Sequence, residues 1–91
     1  MRYTVYILHS EKSGVFYKGY TSNLEKRLWQ HNNGLGRFTK DKGPWELVFS
    51  KEFEFKKEAL IFERKIKRLG SEALERLILN QEDKANPGSD G

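Results

Sequence analysis

From Arg2 to Leu8 the side chains alternate, with Tyr3, Val5 and Ile7 on one face and Thr4, Tyr6 and Leu8 on the other. A period of two in β-branched and aromatic residues predicts a strand. The polar stretch from His9 to Gly14 closes on Ser-Gly, a turn signal, and Val15 to Tyr20 predicts a second strand, antiparallel to the first. The period then changes. Leu24 and Leu28 lie one turn apart after Thr21-Ser22-Asn23, and Ser22 and Glu25 have the spacing of a capping box, so a helix starts there. Asn32-Asn33-Gly34 ends it, with Gly34 suited to the left-handed position. Leu35 to Pro44 is a loop rich in glycine and lysine. Alternation returns from Trp45 to Phe53, which puts Trp45, Leu47 and Phe49 on one face of a third strand. Phe55, Ala59, Phe62, Ile66 and Leu69 then fall on one helical stripe that stops at Gly70. Ser71 caps a last predicted helix through Leu79, with Leu74, Leu77 and Ile78 inward. Residues 81–91 are polar, include Asn-Pro-Gly-Ser and are predicted to be a disordered tail.

The order ββαβαα implies an α+β fold: an α/β sandwich with a three-stranded, mainly antiparallel sheet flanked by helices. The 91 residues suffice for one domain, placed at 1–80, with a small core. There is no cysteine, which excludes a disulfide scaffold and a thiolate zinc site. No signal-peptide pattern opens the sequence and no apolar run reaches the length of a bilayer span, so the expectation is a soluble cytoplasmic protein with no membrane partner. Charge is uneven along the chain. Residues 1–70 carry 15 Lys/Arg against 8 Asp/Glu, while residues 71–91 carry 2 against 5. A compact basic domain suits a polyanion such as nucleic acid, because lysine and arginine displace the counterions condensed on phosphates.

The groups able to do chemistry sit at element edges. Tyr6 and Tyr17 are strand tyrosines, which ordinarily pack with the hydroxyl at the surface. Adjacent antiparallel strands would let the two hydroxyls converge, and Gly19 marks a close approach by a ligand or by other backbone. Arg27 and His31 border the Leu24/Leu28 face one turn apart. Arg27 either snorkels or aims its fork at a phosphate. His31 is either a surface histidine or a second phosphate ligand and proton donor. Glu63 lies at the edge of the second helix's apolar stripe, where a carboxylate pairs with Lys56 or Lys67 or binds a metal; a lone carboxylate suits Mg²⁺. Lys57, Arg64, Lys65 and Arg68 fall on the solvated side of that helix, and Trp29 points away from its own helix's apolar face.

In this order the residues resemble the GIY-YIG nuclease superfamily. Thr4-Val5-Tyr6 stands where the first motif would be, and Tyr17-Lys18-Gly19 where the second would be. The stretch from Ser22 to Asn32 is similar to the family's first helix, and Ala59 to Lys67 resembles its glutamate helix. The likeness covers residues 1–80 and is closest to the short single-domain bacterial branch. Thr4 stands in place of a glycine and Lys18 in place of an aliphatic residue. Asn80 is the candidate for the asparagine that many relatives carry near the C-terminus.

The resemblance implies divalent-metal-dependent hydrolysis of nucleic-acid phosphodiesters, DNA above RNA, with Mg²⁺ or Mn²⁺ and a role in repair or recombination. It implies Tyr6, Tyr17, Arg27, His31 and Glu63 as catalytic residues. Glu63 would hold the metal, Arg27 would stabilise the transition state, and Tyr6 would deprotonate the attacking water with Tyr17 holding that water. His31 would bind the phosphate or relay the proton, and Gly19 would leave room for substrate. Arg37, Lys40 and Lys42 of the loop would bind the backbone of the nucleic acid. The two hydroxyls, the Arg27 fork and the Glu63 carboxylate are expected to meet in one shallow cleft at the sheet edge. A non-catalytic nucleic-acid-binding module of the same fold is the alternative, and a protein-interaction domain a third. Homodimerisation or a recruiting partner protein would supply targeting.

Overall fold

The computed structural model describes residues 2–36 and 39–85, with side chains through Gln81. The elements are β1 (Tyr3–Ser10), β2 (Phe16–Thr21), α1 (Leu24–Asn32), β3 (Trp45–Phe53), α2 (Lys56–Lys67) and α3 (Ser71–Ala85). This is the predicted ββαβαα order, and both strand pairs are antiparallel. The sheet order is β2-β1-β3, which puts β1 in the centre.

A central strand has both faces covered, and the alternation of β1 reflects this. Val5 and Ile7 join Phe49, Ala59, Ile66, Leu74 and Ile78 in one core, under α2 and α3. Tyr6 and Leu8 join Trp45 in a second core on the opposite face, where Leu24 and Leu28 of α1 pack. The molecule is therefore a sandwich of α1, sheet, and the α2/α3 pair. The site described below lies on the α1 side.

Several local expectations change. The third strand does not carry Trp45, Leu47 and Phe49 on one face. Ile7 pairs with Phe49 while its neighbour Leu8 pairs with Leu47, so Val48 is an extra residue at a β-bulge. The bulge reverses the alternation, sending Trp45 and Leu47 to the α1 side and Phe49 to the main core. The cap of α1 is Asn23 rather than Ser22: its Oδ1 accepts from the Lys26 N–H at 3.1 Å, and its own N–H donates to Thr21 Oγ1 at 3.1 Å. Phe55 leaves the apolar stripe. It is the extended N-cap residue of α2 and is exposed, so the buried stripe begins at Ala59.

The last helix does not stop at Leu79. It runs to Ala85, so residues 81–85 are helical where a disordered tail was expected. Its continuation has a polar anchor, since the Gln81 side-chain amide donates to the Ser50 carbonyl on β3. The remainder of the expected tail, 86–91, lies outside the described residues. Gly34 has φ +75°, the left-handed turn predicted after α1.

Candidate active site

The strand register sets the centre of the site. Tyr6 lies directly opposite Gly19, and Tyr17 opposite Leu8, so the two tyrosines are diagonal neighbours on one face. Their ring centroids are 6.3 Å apart. A Cβ on Gly19 would meet the Tyr6 Oη at 2.8 Å and Cζ at 3.0 Å. The glycine therefore makes room for the Tyr6 ring, not for substrate as expected. Gly19→Ala should push the phenol off its position and lower stability by about 1–3 kcal/mol, the cost of overpacking. A shift of the denaturant midpoint with an unchanged slope would report it; an unchanged midpoint would refute the tight fit.

Tyr6 is buried to 1% exposure. Its hydroxyl is 3.0 Å from His31 Nε2. His31 is itself 4% exposed, and its Nδ1 is 2.8 Å from Thr39 Oγ1. Both imidazole nitrogens are thus engaged inside the protein, and direct phosphate binding by His31 is not available in this arrangement. Arg27, which only donates, faces the Tyr6 oxygen closely enough to act on its titration. We therefore assign the phenol proton to Nε2 and the imidazole proton to Nδ1, pointing at Thr39. The chain Tyr6–His31–Thr39 is a continuous line of buried hydrogen bonds.

Burial pushes the Tyr6 phenol well above the usual tyrosine range, and the nearby Tyr17 adds to this. The Arg27 guanidinium pulls the other way, and the Glu63 carboxylate again raises it. A solvent-excluded phenol that resists ionisation does not meet an attacking water as a free base, so the expected base role moves away from Tyr6. Burial, followed by the charge of Arg27, holds His31 below the ordinary histidine pKa of 6.5 and keeps it neutral. The unfolded chain then binds a proton that the folded chain refuses. Stability should be complete above about pH 6.5 and decline as pH falls below it toward the depressed folded value. A His31→Gln variant should lose this slope, which denaturation midpoints across that window would reveal.

Residues absent from the sequence reading hold this arrangement. Thr39 is 1% exposed, and its carbonyl accepts from Trp45 Nε1 at 3.0 Å. A Cβ on Gly36 would overlap Thr39 Oγ1 and come within 2.9 Å of His31 Nδ1. Asn32 brackets Trp45, accepting from its N–H at 2.7 Å and donating to its carbonyl at 3.3 Å. Ser10 donates to the Lys42 carbonyl at 2.6 Å. The loop after α1 is thus pinned to the sheet. Only the Gly-rich composition of that loop signalled a close approach; nothing in the sequence marks Thr39 as a histidine partner. Lys40 is exposed, Lys42 is half-buried, and Arg37 lies outside the described residues.

Tyr17 is half-buried, with its ring 4.9 Å from the His31 ring and 6.4 Å from that of Trp45. Arg27 is exposed, and its Nη1 donates to Gln30 Oε1 at 3.4 Å. It lies in a groove of about 390 Å³ lined with Thr21, Ser22, Asn23, Lys26 and Gln30. The tyrosines and Glu63 do not line that groove, so the expected single cleft is instead an open surface with the phenols beside it. Glu63 pairs with Lys67 at 3.3 Å, and its side chain is 12% exposed. Asn80 lines a separate groove with Phe49, Phe62 and Gln81, away from the tyrosines. Trp29 is exposed, as its place on the helix predicts.

Among the described residues no three His, Asp or Glu side chains cluster as a metal cage. The donor set is the single Glu63 carboxylate. That fits Mg²⁺, which keeps most of its waters and takes few protein ligands; it does not fit a structural zinc.

Tyr17, His31 and Arg27 thus surround the buried Tyr6 phenol. The sequence model of the GIY-YIG catalytic domain matches residues 2–84. The chain belongs to the GIY-YIG family. Domains of this kind are typically nucleases. The chain is 47% identical over 66 residues to a UPF0213 protein of Clostridium perfringens, covering 71% of this chain and 70% of that protein. It is 37% identical over 79 residues to UPF0213 protein BH0048 of Halalkalibacterium halodurans, covering 86% and 83%. The solution NMR structure of BH0048 superposes with a TM-score of 0.58 at 34% identity, over 96% of this chain and 89% of that one. No helix among the described residues is long and apolar enough to cross a membrane.

Proposed function

We propose that this GIY-YIG domain is a divalent-metal-dependent endonuclease that hydrolyses phosphodiester bonds in nucleic acid, with DNA the preferred substrate and repair or recombination its setting. The observation that carries this reading is geometric: in a chain that matches the catalytic-domain model, the Tyr6 and Tyr17 rings lie 6.3 Å apart on one sheet face with the Tyr6 hydroxyl 3.0 Å from His31 Nε2, and Arg27 stands beside them. A cation and a carboxylate near one phenol pair is the set that in-line phosphoryl chemistry needs.

Arg27, exposed and weakly held, is free to swing its fork onto a phosphate and stabilise the charge of the pentacovalent transition state. Tyr17, the more accessible phenol, orients the attacking water and, as the phenolate, takes its proton. Tyr6 and neutral His31 stand behind it and hold the ring stack. Thr39 fixes the imidazole orientation. Glu63 would hold Mg²⁺ or Mn²⁺, which when bound offsets charge on the leaving oxygen and a non-bridging oxygen. The products would be a 5′-phosphate and a 3′-hydroxyl.

The Glu63–Lys67 ion pair favours a second reading, since a lysine already neutralises the carboxylate. In that reading the domain binds nucleic acid without cutting it. Labelled single-stranded and branched DNA incubated with Mg²⁺ or Mn²⁺ separates the two. Turnover that EDTA stops supports the nuclease; a salt-sensitive gel shift with intact DNA supports the binding module.

A further inference from the structure

Helix α2 carries a line of cations that the site does not use. Lys57, Arg64, Lys65 and Arg68 are all exposed, and Ile61 among them is 57% exposed. At 100° per residue they fall within an arc of about 100°, centred about 140° from the buried Ala59/Phe62/Ile66 face. Glu58 borders the arc on one side, and Glu63 lies well outside it, toward the buried face. Among the described residues none of the four cations is in an ion pair, whereas Lys67 on the same helix pairs with Glu63. Ile61, Arg64, Lys65 and Arg68 line a shallow groove of about 270 Å³.

Cations near a helix C-terminus complement the macrodipole, which accounts for Arg64, Lys65 and Arg68 singly. It does not account for Lys57, in the first turn where a cation is unfavourable, nor for the exposed Ile61. An anionic membrane surface would need a broad apolar face beside the charge. The apolar face of α2 is buried in the core, and Ile61 alone faces out.

We propose that the outer face of α2 is a ridge that tracks the phosphate backbone of duplex nucleic acid, separate from the cutting site. The proposal rests on the nucleic-acid reading above. From Lys57 to Arg68 the ridge is about 16 Å long at 1.5 Å per residue. Phosphates of one strand rise 3.4 Å per step along the duplex axis but also wind around it, so a straight ridge of this length faces about two to three of them. Such contacts carry no sequence information, so the ridge would hold a duplex without choosing its sequence.

The test compares Arg64→Gln/Lys65→Gln/Arg68→Gln with Arg2→Gln/Lys12→Gln/Arg76→Gln, which removes the same charge from exposed positions elsewhere. Circular dichroism checks that both fold. Binding of a labelled DNA duplex is measured by anisotropy without metal, across a salt series. The ridge variant should bind at least about tenfold more weakly and reduce the slope of log K against log salt by two to three, at about 0.9 per lost phosphate contact. The control should keep the wild-type slope. Equal losses in both variants would mean net charge alone matters, and the ridge would be refuted. A polyglutamate peptide bound as tightly as the duplex would also refute it, in favour of an acidic protein partner. Duplex binding that depends on the ridge, with no cleavage under any metal, would overturn the nuclease and leave the ridge standing.

Discussion

Arg27→Ala and Glu63→Ala are each expected to abolish metal-dependent cleavage while leaving the fold intact. Arg27 is exposed, and its hydrogen bond to Gln30 is long, so truncation removes little packing. Under the proposed mechanism it removes the donor fork that would stabilise developing phosphate charge, worth about 10²–10³ in rate for a single lost donor. Glu63 is less exposed, but its partner Lys67 has a side chain 54% exposed and stays solvated when left alone. The stability cost of losing such a pair is within about 1 kcal/mol. Glu63→Gln sharpens the test, because it keeps shape and removes charge. Single-turnover rates at saturating DNA, read beside denaturant midpoints, separate chemistry from folding. Cleavage that survives both substitutions would sink the assignment of these residues and leave only the binding module.

Why these residues were legible, and others not, follows from the range of the forces involved. Element order came from periodicity, which is local, and every predicted helix and strand is present. The central position of β1 was written in its two apolar faces, Val5/Ile7 and Tyr6/Leu8, but only pairing on both edges gives that meaning. The bulge at Val48 was invisible because an extra residue looks the same as a shifted alternation until the partner strand is known. The capping box at Ser22 lost to Asn23, an equally good cap one residue on that is also tied by Thr21. The end of α3 was misplaced because Gln81 reaches a carbonyl 31 positions away.

The site divides in the same way. Arg27, Glu63 and the tyrosine pair follow from spacing on single elements and from the family resemblance. The roles of Gly19, His31 and Thr39 follow from contacts across elements. Gly19 reads as a gap for a ligand until Tyr6 is seen to fill it. His31 reads as a surface ligand until Thr39 and Tyr6 occupy its two nitrogens. Burial then sets the two phenols apart, because a desolvated phenol loses acidity while its half-buried neighbour keeps access to water.

The last consequence is a contrast between the two tyrosines. Tyr17→Phe keeps the half-buried ring beside His31 and Trp45 and deletes only the hydroxyl, so the ring packing survives. If Tyr17 handles the proton of the attacking water, cleavage should fall by about 10²–10⁴, the usual worth of a general base. Tyr6→Phe should show the opposite balance. It leaves the buried His31 Nε2 without a partner, which costs about 1–3 kcal/mol in stability, while the phenol that touches water remains. Its cleavage rate should drop less than that of Tyr17→Phe. A larger rate loss in Tyr6→Phe than in Tyr17→Phe would return the base role to the buried phenol. That outcome would require substrate binding to open the Tyr6–His31 hydrogen bond, since the phenol is only 1% exposed.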